Sequence, residues 1–243
     1  MAWFFTKYNI NSDQYMISGE NAKHISKVLR MNKGEELTLV TPDKTQCTCK
    51  VFSVTSDTVT VDVISKKPCE NEPDVFVTLY QALPKSDKMD MIIQKSVELG
   101  ISKIVPVLSA RCVSRPDGKS LAKKQERWQK IALQAAMQSR RAIVPEVCPC
   151  VTIQNAAELT KQNDKTIIFY EMGGESVRKI LNEKVKSIGM FVGSEGGFEQ
   201  SEVDSVVESG GTPATLGKRI LRAETAPLAG LSIIMYETGN FEN

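Results

Sequence analysis

From residue 75 onward, short apolar runs take turns with stretches of helical periodicity, and this alternation restricts the fold more than any other property of the chain. Residues 75–83, 103–108, 165–170, 187–192 and 213–216 read as strands. Between the first two, Met89, Ile92, Ile93, Ser96 and Val97 share one helical face ahead of a stop at Gly100. Further helices are expected at 121–139, 175–184 and 201–208, the last closed by Gly210 and Gly211. Residues 226–236 are apolar nearly all round, which calls for burial against the sheet or against a second subunit. The expected class is α/β, a parallel sheet with helices on both faces.

The first 67 residues follow another rhythm. Segments 37–40, 47–54 and 58–64 alternate or favour β-branched residues, with turns at 41–44 and 56–57, as in a small β-barrel. Ahead of them, Ala22, Ile25 and Leu29 give a short helix that ends near Arg30, with Gly34 in the turn beyond. Residues 65–74 are polar with two prolines and mark a boundary, giving domains at 1–70 and 74–243. No run reaches membrane-spanning length and no secretory leader is evident, so a cytoplasmic protein is expected. Six cysteines in a chain of 243 residues with 41% hydrophobic content fit reduced thiols better than a disulfide framework. No metal is expected, because the C-x-C pairs lack zinc-ligand spacing and His24 is the single histidine.

Two loops carry the chemistry. Gly193-Ser194-Glu195-Gly196-Gly197-Phe198 follows one strand, and Leu216 to Ala226 follows the next. The first lacks the lysine and hydroxyl that close a phosphate-binding loop and places Glu195 where phosphate would be repelled. Its glycine spacing and late position exclude the dinucleotide fingerprint, and Ser194 lacks the frame of a nucleophile elbow. A cationic or zwitterionic ligand fits better, with close backbone approach at Gly196 and Gly197. The second loop offers Arg222, Glu224 and Thr225 within one helical turn. A tight turn and a helix-terminal ion pair are the structural alternatives for these residues.

A net charge of +2 announces no global field, but cations concentrate locally. Lys123, Arg127 and Lys130 form a helical stripe, extended by Arg111, Arg115, Lys119, Lys124, Arg140 and Arg141. Lys23, Lys27, Arg30 and Lys33 cluster near the N-terminal helix. Each group reads either as a solvated face or as contacts to an RNA backbone.

The paired loops, together with His24 through Arg30, Lys88-Met89 through Gly100, Trp128 through Ala132 and Val144-Pro145-Glu146, resemble the ribosomal RNA small-subunit methyltransferase E family of the SPOUT superfamily over nearly the whole chain. The resemblance implies an N-terminal PUA-like β-barrel, a C-terminal α/β domain with a trefoil knot, a homodimer, and S-adenosylmethionine as cofactor. The implied reaction is methylation of a uridine N3 in 16S ribosomal RNA, presented naked or in the small ribosomal subunit. The alternatives are ribose 2′-O methylation and a non-catalytic RNA-binding assembly factor.

Under this resemblance the cofactor is held by Tyr170, Gly193, Glu195, Gly196, Gly197, Leu216, Gly217, Ile220, Leu221, Thr225 and Ala226. Arg222 steadies the uracil anion, and Glu224 orients Arg222 or accepts the proton. The residues expected to contact RNA are Lys23, Lys27, Arg30, Arg111, Lys123, Arg127, Lys130, Arg140 and Arg141. Two positions depart from the family pattern: Ser194 stands where proline is usual, and Arg140 where glycine is usual.

Overall fold

The computed structural model describes residues 1–242, which form two compact units. The first comprises Met1–Glu72 and Ala136–Val144. Its strands β1 (Ala2–Phe5), β2 (Gln14–Ser18), β3 (Glu36–Val40), β4 (Thr45–Val54) and β5 (Thr58–Pro68) make a curled sheet in the order β1-β3-β4-β5-β2. Register shifts at Thr48/Cys49 and Val51/Ser53 bend the long β4–β5 pair, as bulges do. Period-two alternation sends Cys47, Cys49 and Val51 inward to Phe4, Ile17, Leu37, Leu39 and Val59. The C-x-C spacing is therefore a strand's inward face; burial raises both thiols, that of Cys49 to about 12.

Helix α1 (Gly19–Lys23) runs into a widened turn, where the Leu29 amide donates to the His24 carbonyl at 2.9 Å. Two features differ from the sequence reading. Neither β1 nor β2 was foreseen, and β5 continues through Pro68 because Ser65, Lys66 and Lys67 find partners on β4.

The second unit comprises Pro73–Ala135 and Pro145–Asn243. Its elements are β6 (Phe76–Ala82), α2 (Lys88–Glu98), β7 (Lys103–Leu108), α3 (Gly118–Gln138, whose last turn belongs to the first unit), β8 (Glu146–Val147), β9 (Val151–Thr152), α4 (Ile153–Leu159), β10 (Lys165–Phe169), α5 (Val177–Ile180), β11 (Ser187–Val192), α6 (Gln200–Glu208), β12 (Gly211–Ala214) and α7 (Ala226–Glu237). All strand pairs are parallel, in the order β12-β10-β11-β6-β7-β8, with β9 also on β7. Apolar strands such as β11, buried along almost its whole length, are what a sheet covered on both faces requires.

Two expected elements shift their limits, and a helix is added. The last strand lies at Gly211–Ala214 instead of 213–216, because Gly211 already pairs with Thr166 of β10, leaving Thr215 and Leu216 in the loop. The helix expected at 175–184 contracts to one turn, since Leu181 leaves helical geometry at φ −96°, ψ 48°. α4 is an addition, capped by the Thr152 hydroxyl, which accepts from the Asn155 amide at 3.3 Å. α7 contacts α2, α5 and β11 and buries Leu231, Ile234 and Met235. Among the described residues no helix is long and apolar enough to cross a membrane.

Candidate functional site

Strands β12, β10 and β11 are neighbours and point the same way, so their carboxyl ends deliver three loops to one place. This edge is where open α/β sheets hold ligands. The loop after β10 brings Tyr170, Glu171, Met172 and Gly173; the loop after β11 brings residues 193–197; the loop after β12 brings residues 215–223. They enclose a cavity of about 770 Å³, completed by Lys88 and Ala226.

Local sequence explains the shape of the glycine loop. Phe198 is fully buried and anchors its end, and Glu199 and Glu202 form a reciprocal capping box at the start of α6. Gly197 sits at φ +67°, and a β-carbon there would lie 2.6 Å from a carboxylate oxygen of Glu171. A β-carbon on Gly196 would approach the Arg111 β-carbon to 2.8 Å, and the Arg111 guanidinium donates to the Gly196 carbonyl at 3.1 Å. Ser194 is buried, and its hydroxyl donates to the Arg111 carbonyl at 3.4 Å.

The charged groups are organised around Lys88, at the first position of α2. Its ammonium lies 2.9 Å from Glu195 of the glycine loop and 2.9 Å from Glu224 of the second loop. The Lys85 amide donates to both Glu195 oxygens at 3.2 Å. Burial pushes the Glu195 carboxyl up, but the hydrogen bonds from Lys88, its own N–H and Lys85 outweigh this and hold it below the ordinary range. Lys88, then the Glu224 backbone N–H, lower the Glu224 carboxyl likewise, and the two carboxylates raise the Lys88 ammonium. Arg222 stands 4.0 Å from the other Glu224 oxygen, with its side chain 83% exposed at the cavity mouth.

Of the expected cofactor residues, Tyr170, Gly193, Glu195, Gly196, Gly197, Leu216, Gly217, Ile220, Leu221 and Ala226 line the cavity. Thr225 does not; it precedes α7, and its amide donates to the Arg222 carbonyl at 2.8 Å. Glu224 also stands behind the wall and reaches the site through Lys88. Lys88 and Glu171 were assigned no role from sequence. The first was visible only as part of a matched motif, and the second only as a residue following a strand at the ligand-bearing edge.

The expected RNA contacts divide. Lys23, Lys27, Arg30, Lys123, Lys130 and Arg140 are exposed. Arg127 is exposed but paired with Asp90, and Arg111 is committed to the glycine loop. Arg141 requires correction. It is 3% exposed and bound to Glu72 at 2.5 Å, and Glu72 also accepts the Ala142 amide at 2.7 Å, so this guanidinium organises the first unit instead of facing solvent.

The cavity suits S-adenosylmethionine. Its volume falls among small-ligand sites of roughly 300–1,000 Å³. Its walls combine glycine backbone, apolar Val192, Leu216 and Leu221, the carboxylates of Glu171 and Glu195, and the cations of Lys88, Lys218 and Arg219, a donor set for a zwitterion that carries further positive charge.

The comparisons agree with this geometry. The model of the RNA methyltransferase domain matches residues 70–235, and that of the RNA methyltransferase PUA domain matches residues 17–64. Ribosomal RNA small subunit methyltransferase E of Bacillus subtilis (strain 168) is 37% identical over 231 residues, covering 92% of this chain and 90% of that protein. The crystal structure of ribosomal RNA small subunit methyltransferase E from Neisseria gonorrhoeae, bound to S-adenosylmethionine, superposes with a TM-score of 0.87 at 31% identity, covering 97% of each chain. A Legionella pneumophila methyltransferase with bound S-adenosylmethionine gives a TM-score of 0.87 at 29% identity, over 97% of this chain and 96% of that one. With three strand-end loops around one cavity and matches that run through both units, the chain belongs to the ribosomal RNA small subunit methyltransferase E family.

Proposed function

We propose that the chain methylates N3 of a uridine in small-subunit ribosomal RNA, with S-adenosylmethionine as the methyl donor. The observation that carries this reading is the cavity at the carboxyl ends of β10, β11 and β12, with Arg222 at its mouth and Glu224 behind it. When bound, the cofactor supplies an electrophilic methyl group on a sulfonium.

The residues of the chain do the rest. Uracil N3 carries a proton in the neutral base, which must leave to solvent before or during attack on the methyl group, and a guanidinium beside the ring oxygens stabilises the resulting anionic base. Arg222 fills this role. Of the two roles open to Glu224, orientation of Arg222 is favoured over proton acceptance, because Lys88 and the Glu224 N–H keep the carboxyl ionised and weakly basic. Backbone groups of the glycine loop and of Leu216, Gly217 and Leu221 hold the cofactor, and Met172 and Ile220 border the opening.

N3 lies on the pairing edge, so the target nucleotide must be unpaired or extruded. The exposed cations Lys23, Lys27, Arg30, Lys123, Lys130 and Arg140 hold phosphates and position the strand. A knotted threading of the three cavity loops, a homodimer and a cytoplasmic location belong to the same proposal.

The test is nucleoside mass spectrometry of ribosomal RNA treated as naked 16S RNA and as assembled small subunits. N3-methyluridine is the expected product. A ribose-methylated nucleoside, or no product despite calorimetric cofactor binding, overturns the base assignment. Arg222→Ala is expected to lose turnover by about 100-fold with cofactor affinity retained.

A further inference from the structure

We propose that Lys88 is the positioning residue of this site, clasping the glycine loop to the second loop and setting Arg222 through Glu224. Lys88 lies at the start of α2, so the helix behind it fixes its backbone. Its ammonium is equidistant, at 2.9 Å, from a carboxylate on each of two loops. Glu195 is further tied to the Lys85 amide, so the same short segment, Lys85 to Lys88, holds the glycine loop twice.

Chemistry makes the arrangement specific. A lysine ammonium is a point charge that attracts carboxylates without a planar constraint, so one side chain forms an ion pair with both loops. Without the ammonium, Glu195 and Glu224 would be like charges facing one another across the gap it fills, and their repulsion would part the loops. Arg222 lies beyond Glu224 at 4.0 Å, so the displacement would be passed on to the group proposed to meet the base. The clasp itself is a statement about this chain's side chains; its effect on methyl transfer rests on the functional reading above.

The variants are Lys88→Met, which keeps the stem and removes the charge, Lys88→Arg, which restores it, and Lys88→Met with Glu224→Gln. Carbon-13 NMR of glutamate carboxyls in the ligand-free protein, assigned with Glu195→Gln and Glu224→Gln, reads the clasp without any reaction. In Lys88→Met both carboxyls should titrate at higher pH than in the wild type, and in Lys88→Arg they should return toward it. Single-turnover methylation at saturating cofactor should slow about tenfold in Lys88→Met, with no further loss in the double variant. Unmoved carboxyl titrations overturn the proposal, as does a double-variant loss equal to the product of the single losses. If the wild type neither binds the cofactor nor methylates RNA, the functional reading fails while the titrations still decide the clasp.

Discussion

Arg140 occupies a position where the backbone asks for glycine. α3 ends in a Schellman arrangement: the Arg141 amide donates to the Ala136 carbonyl at 2.9 Å, the Arg140 amide to the Met137 carbonyl at 3.3 Å, and Arg140 itself sits at φ +58°. The Asn71 side chain donates to the Arg140 carbonyl at 2.8 Å, so the conformation is held by backbone contacts that any residue would keep. A side chain at positive φ costs on the order of 1–3 kcal/mol, and replacing it by glycine returns roughly 0.5–1 kcal/mol of extra freedom to the unfolded chain. Arg140→Gly should therefore stabilise by about 1 kcal/mol, or roughly 2–4 °C in Tm for a chain of this size. Arg140→Ala removes the same charge but keeps the β-carbon, so it should stay within about 1 °C of the wild type. Both variants should weaken RNA binding equally, each lowering the salt slope by about 0.7–0.9 if one phosphate contact is lost. Scanning calorimetry of the three proteins, with RNA titrations at several salt concentrations, is the assay. Equal melting temperatures for the glycine and alanine variants would refute the backbone argument, and unequal RNA losses would refute the contact.

Three further outcomes follow from the geometry. Glu72→Ala removes the carboxylate facing the buried Arg141 guanidinium and accepting the Ala142 amide, and should destabilise the chain by about 3 kcal/mol in a denaturant titration; a loss under about 1 kcal/mol would contradict the burial. Gly197→Ala imposes positive φ on a side chain and pushes on Glu171, whereas Gly217→Ala meets positive φ with open space around it, so calorimetry should show cofactor affinity falling about tenfold further in the first than in the second. Glu195 and Glu224 are lowered from the ordinary value of 4.5, so their contribution is complete above it and lost as pH falls through their folded values; Lys88 is raised from 10.5, so its contribution is complete below that and lost as pH rises further. The stability difference between wild type and Lys88→Met should accordingly be level across the neutral range and narrow toward acid; a maximum centred on the acidic side would reverse the sign of this linkage.

What the sequence made legible was whatever the chain encodes locally. β7 and β11 are six-residue strands in which one polar residue, Lys103 or Ser187, leads an apolar run, and their limits coincide with the expected ones. The first glycine loop was found for the same reason, since strand β11, the glycines at 193, 196 and 197, and helix α6 follow one another closely. β2 was missed because Gln14–Ser18 buries only Ile17, too weak an alternation to register. The wall formed by Tyr170 to Gly173 carries no motif of its own and joins the site only because β10 lies between β11 and β12.

Charge was the least legible property, and the reason is the same distance in sequence. Arg140 and Arg141 are adjacent and identical in composition, yet one is exposed at positive φ while the other is enclosed by Glu72. Arg127 belongs to a stripe with Lys123 and Lys130, yet among the described residues it alone of the three pairs with carboxylates, Asp90 of α2 and Asp87 just before it. Lys88 looks like any helix-start lysine until Glu195 and Glu224 close on it. Counting cations along a sequence therefore overstates the surface offered to RNA wherever a remote carboxylate neutralises one of them. Arg141, one of the cations so removed from that surface, instead holds the first unit in shape.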